Sequence, residues 1–127
     1  FRAVRRWWRS PGTLRDAASK PHRTVIFGVS GYIDLKSALQ IREPFITIAG
    51  QTAPGDGVCT RYFPFGVATH DVVVRFMKSR LGDLHGQEDS IDIWNGCRNV
   101  ILDHCSATWS VDECLSTSTP VSIEYQK

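Results

Sequence analysis

Short apolar runs, rich in Val, Ile, Leu and Phe and interleaved with polar positions, recur along this chain with no long helical pattern between them. They group in threes. Val25 to Phe27 is followed by Gly31 to Leu35 and by Ala38 to Ile41. Ile46 to Ile48 is followed by Gly57 to Arg61 and Gly66 to Thr69. A third group reads Val72 to Phe76, Lys78 to Leu81 and Ser90 to Ile93. A fourth reads Val100 to Asp103, Ala107 to Ser110 and Cys114 to Thr117, and Ser122 to Tyr125 opens a fifth. The groups start at residues 25, 46, 72, 100 and 122, an interval on the order of 20 to 30 residues that suits one turn of a β-solenoid built from three short strands. Each run offers only one or two apolar side chains to one face, so no group can bury its face alone. Stacking like on like predicts parallel strands from about residue 24 onward. An antiparallel sandwich would also show many short strands, but the repeating triplet favours the solenoid.

Turn chemistry separates the runs at Pro54-Gly55-Asp56-Gly57, Phe63-Pro64-Phe65-Gly66, Leu81-Gly82-Asp83 and Trp94-Asn95-Gly96. The one helix signal lies within Gly12 to Ser19, where Thr13 is placed to N-cap a turn carrying Asp16. A helix this short suits a cap over the open end of a solenoid, where strand edges need cover. Residues 1–11, with Arg5-Arg6-Trp7-Trp8, form a poorly assigned N-terminal segment, and 12–127 read as one partial domain. The chain starts at Phe1 and stops after a strand-like alternation, so both ends read as cut.

The chain has 127 residues, 42% hydrophobic and 22% charged, the balance of a soluble globular unit. No apolar run approaches the roughly 18 to 20 residues needed to span a bilayer, which argues against a membrane partner. A formal net charge of +2, with the arginine cluster confined to the N-terminus, gives no case for nucleic acid. The four cysteines, Cys59, Cys97, Cys105 and Cys114, contain no Cys-x-x-Cys pair for zinc. They are compatible with two disulfides or with buried free thiols. His22, His70 and His85 show no paired spacing, and no Gly-x-Ser-x-Gly element supports a serine hydrolase.

Three strings are more specific: GTLRDAASKPHRTVIFGVSGYIDLKSALQI, ITIAGQTAPGDGVCTR and RNVILDHCSATWSVDECLS. Over about residues 12 to 126 the chain resembles the pectate lyase superfamily, in particular polysaccharide lyase family 1. The resemblance implies an all-β, right-handed, single-stranded parallel β-helix, of which these are the N-terminal coils. It also implies a secreted, monomeric enzyme that cleaves acidic pectin or polygalacturonate by calcium-assisted β-elimination. Asp89-Ser90-Ile91 matches one family element, Leu102-Asp103-His104-Cys105 a second, and Asp112 the first of two acids spaced four apart. Asp89 and Asp112 are thus the expected calcium ligands. Ser116 stands where the second acid is expected, a departure that removes negative charge from the site. Calcium takes about six to eight oxygens, so substrate carboxylates and water must complete the shell. The catalytic base is expected beyond Lys127, which would leave this piece inactive alone.

Arg80, on the run before the Asp89 loop, is a candidate to grip a uronate carboxylate through its guanidinium fork, with an ion pair to Asp83 as the structural alternative. Asp103 and His104 read as polar groups that satisfy one another rather than as catalysts. Two further functions share the scaffold: a polygalacturonase, which would need paired carboxylic acids, and a non-catalytic polysaccharide-binding solenoid.

Overall fold

The computed structural model describes residues 2–3, 12–84 and 86–118. Over these described residues the chain winds through about four turns of a parallel β-solenoid with one four-residue α-helix. After β1 (Arg2–Ala3) and α1 (Leu14–Ala17), the first coil holds β2 (Arg23–Phe27), β3 (Gly31–Asp34) and β4 (Leu39–Ile41). The second holds β5 (Ile46–Ala49), β6 (Val58–Arg61) and β7 (Phe65–Val67). The third holds β8 (His70–Arg75), β9 (Met77–Arg80) and β10 (Ile91–Ile93), and the fourth β11 (Arg98–Asp103), β12 (Ser106–Thr108) and β13 (Leu115–Thr117). Corresponding strands stack into three sheets. The first has the order β1-β2-β5-β8-β11, the second β3-β6-β9-β12 and the third β4-β7-β10-β13. All their pairings are parallel, so the antiparallel alternative is excluded for the described residues. The fifth group, from Ser122, lies outside them.

The register explains the repeat. Val25 lies opposite Ile48, Ile48 opposite Val74 and Val74 opposite Leu102, while Leu39, Phe65, Ile91 and Leu115 form a second row. Inward apolar positions therefore meet the same kind of residue in the next coil, and Val25, Ile48, Val74, Phe65 and Ile91 are essentially sealed from solvent. Burying such side chains is worth about 1.5–3 kcal/mol each. Polar residues inside are paired. Ser79 and Ser90 exchange hydroxyl-to-carbonyl bonds of 3.0 Å in both directions, tying β9 to the start of β10 across the long loop between them.

The helix forms as its cap predicts, with the Asp16 N–H donating to Thr13 Oγ1 at 3.1 Å. Leu14 and Ala17 are buried in the core. Arg23 donates to the carbonyls of Asp16 and Ala17 at 3.0 and 3.1 Å, satisfying the last turn. No disulfide forms: all four cysteines are free, and Cys97 and Cys105 pack against the core as small apolar groups. The thiols are thus free, but only Cys59 is fully buried and Cys114 is exposed.

Candidate functional site

The outward face of the third sheet gathers the acids. Strand β10 alternates Ile91, Asp92, Ile93, and since Ile91 is buried, the register places Asp92 in an outward row with Gln40, Gly66 and Ser116. Gly66 has no side chain, and Asp92 uses the gap. A Cβ built on Gly66 would lie 1.7 Å from Asp92 Oδ1, so only glycine lets the carboxylate fold back toward the second coil. There Gln40 Nε2 approaches both its oxygens at 3.4 Å, and Trp94 Nε1 donates to Oδ2 at 2.6 Å. Burial raises the Asp92 pKa above the ordinary carboxylate value; the bonds from Trp94 and Gln40 oppose the shift and the nearby charge of Asp89 adds to it. Gln40 Oε1 is buried with no hydrogen-bond partner among the described residues.

Asp89, just before β10, reaches the fourth coil. Its Oδ1 accepts from the Glu113 N–H at 2.9 Å, and its Oδ2 accepts a short hydrogen bond from the Ser116 hydroxyl. Ser90 N donates to Glu113 O at 3.1 Å and Ser110 Oγ to Glu88 O at 2.6 Å, so the stem of the β9–β10 loop is laced to the β12–β13 loop. Asp112 is exposed in that second loop, next to Glu113.

Of the residues singled out from the sequence, Asp89 and Asp112 thus belong to adjacent coils on one side of the solenoid. Ser116, the departure, is the partner that holds Asp89. Arg80 is elsewhere: it lies on the second sheet, with Nη1 donating to the Tyr32 hydroxyl at 3.1 Å and its guanidinium 5.1 Å from the Trp109 ring centre. No hydrogen bond or ion pair joins it to Asp83, Asp89 or Asp112 among the described residues, so the Asp83 pair is not formed. Asp103 accepts from Arg75 at 2.8 Å and meets His104 Nδ1 at 2.6 Å, the mutual satisfaction expected of that string. Asp92 was not singled out from the sequence. Its signal was available only by aligning the coils, which sets it beside Gly66 and Gln40.

No group of three or more His, Cys, Asp or Glu side chains converges to hold a metal among the described residues. The donors on this face are hard oxygens, and Asp89 retains lone pairs beyond its two bonds. That chemistry fits a calcium shared with ligands from outside the protein rather than one caged by it.

The geometry defines a parallel β-solenoid with an acidic, hydroxyl-bearing outward face. The chain is similar to curated proteins named probable pectate lyase C: 40% identical over 115 residues to that of Aspergillus flavus, covering 87% of this chain and 26% of the relative. It is 41% identical over 111 residues to that of Emericella nidulans, covering 84% of this chain and 25% of the relative. The chain is therefore similar to curated proteins of that name while spanning about a quarter of their length. No family model matches.

Proposed function

We propose that the third-sheet face is part of a pectate lyase type of site, which takes acidic pectin polysaccharide and supports β-elimination. The observation that carries this reading is the clamp on Asp89, a carboxylate fixed by Ser116 and the Glu113 N–H in a chain similar to proteins of that name. Asp89, with Asp112 on the flanking loop, would hold a calcium completed by uronate oxygens and water. Bound there, a cation would supply Lewis-acid chemistry, withdrawing charge from the uronate so that the proton α to its carboxylate would be easier to remove. Ser116 and the Glu113 N–H keep Asp89 oriented. No base is assigned within these coils. The same reading places the protein outside the cell, where pectin is found.

Substitution of a hydroxyl for an acid at Ser116 supports a second reading, a solenoid that binds the polysaccharide without cleaving it. One titration addresses binding: polygalacturonate should bind the chain in a calcium-dependent way, and Asp89→Ala should weaken that binding about tenfold or more, as expected for loss of a charged ligand. The absence of any calcium-dependent component of binding, or a calcium-dependent component that Asp89→Ala leaves unchanged, would overturn the proposed site. The products separate the readings on chemistry. Elimination creates an unsaturated uronate that absorbs in the ultraviolet, whereas new reducing ends without that absorbance would indicate hydrolysis.

A further inference from the structure

The second sheet carries a concave surface that the proposed function leaves unused. Along β9, Met77 and Ser79 are buried in the interior, so Lys78 and Arg80 project outward. In register with them are Cys59 and Arg61 on β6, then Tyr32 and Asp34 on β3. Asp34 is already engaged, accepting from Arg61 at 2.8 and 3.2 Å, and Arg61 lies over the Tyr32 ring at 4.0 Å. Lys78 and Arg80 have no carboxylate within ion-pair distance among the described residues. Lys78 Nζ donates to the main-chain oxygen of Asp56 at 2.7 Å and Arg80 to the Tyr32 hydroxyl.

These residues line an open depression of about 460 Å³, with Ser30 and the Gly55–Gly57 turn at its rim and Cys59 beneath. Burial raises the Cys59 thiol pKa, although the charges of Arg80, Lys78 and Arg61 pull it down. The floor thus stays neutral and does not compensate the cations. A space of this size lies in the range of small-molecule sites, about 300–1,000 Å³, and is larger than a bare ion requires.

We propose that this depression binds a carboxylate-bearing sugar unit, with Lys78 and Arg80 holding the carboxylate and Tyr32 and Ser30 presenting hydroxyls to the ring. It is a second polysaccharide contact, on a different sheet from Asp89. The anion pocket stands on the geometry alone; the choice of a uronate rests on the proposed function. Arg80 offers a planar fork suited to a carboxylate and Lys78 a point charge.

The test is a calorimetric titration of the chain with digalacturonate in the presence of a calcium chelator, alongside a neutral galactose disaccharide and inorganic phosphate. Digalacturonate should bind, the neutral sugar should not, and phosphate should bind at least tenfold more weakly. Lys78→Ala and Arg80→Ala should each weaken digalacturonate about tenfold or more, Arg80→Lys by less, and Asp89→Ala should change nothing. Circular dichroism confirms folding, and if Arg80→Ala does not fold, Lys78→Ala and Arg80→Lys decide. Equal affinity for phosphate would overturn the sugar assignment. Binding untouched by Lys78→Ala, or lost in Asp89→Ala alone, would overturn the location. Loss of calcium-dependent binding with this binding intact would count against the Asp89 face only.

Discussion

Asp92 shows how much one outward position depends on its neighbours in space. Its carboxyl is pushed toward the neutral form chiefly by burial. A carboxyl whose folded pKa lies above its unfolded value holds its proton longer in the fold. Its contribution is therefore most favourable below the unfolded value and declines as pH rises through the folded one. Asparagine in its place cannot ionise and can still accept from Trp94, and a flip of the Gln40 amide, which faces Asp92 through its Nε2, would let the Gln40 oxygen accept from the new N–H₂. Asp92→Asn is therefore expected to stabilise the chain at neutral pH in chelator, with the advantage over wild type shrinking as pH falls toward about 4, where an ordinary aspartate protonates. Paired urea unfolding curves at several pH values measure this. An advantage that does not vary with pH would mean that the carboxyl is ionised equally in both states.

At the level of elements, the third and fourth coils turn between the first and second sheets in only one or two residues. Phe76 alone joins β8 to β9 with φ of 54°, and His104 opens the equivalent turn after β11 with φ of 52°. Neither is glycine, yet both hold the left-handed conformation that L-residues adopt sparingly. Their rings stack at 4.6 Å, one coil above the other, so coil stacking supports a turn that local propensity disfavours. The opposite corner, between β9 and β10, is long and is held by the Ser79–Ser90 exchange. Ser90→Ala removes the donor to Ser79 O and the contact with Ser79 Oγ. It should cost about 1–3 kcal/mol, the range for leaving a buried polar group unsatisfied, and should loosen the stem that presents Asp89. Urea denaturation measures the cost, and faster exchange of the Glu113 amide hydrogen, which Asp89 accepts, would report the loosening.

For the whole molecule, stability is a sum over stacked coils, each touching only its neighbours. Ile48 is packed between Val25 and Val74 in the buried interior, whereas Leu102 on the fourth coil is only partly buried. Ile48→Ala should cost about 2–5 kcal/mol, and Leu102→Ala clearly less, because its site is already partly open. Denaturant midpoints of the two variants check the order, and equal costs would argue against the inner coil as the better packed. The same architecture lets one solenoid present separate faces, with Asp89 and Asp92 beside the third sheet and Lys78 and Arg80 on the second.

The repeat of short apolar runs was enough to determine the solenoid and its parallel pairing, and Thr13 with Asp16 the capped helix, because period-two alternation, coil-length spacing and capping are local properties that stacking then reinforces. Thr13, Val25, Ile48 and Val74 all take the places their pattern implies. The sequence strings also carried Asp89 and Asp112 to adjacent coils. What the tertiary structure decided was direction and company. Arg80, a few residues before Asp89 in the chain, sits on another sheet because the solenoid turns a corner between them. Ser116, read from the sequence as a loss of charge, is the clamp on Asp89. Asp92 became visible only when coil stacking set it over a glycine, since the gap it fills belongs to a residue one coil away and its raised pKa comes from burial that no local pattern encodes.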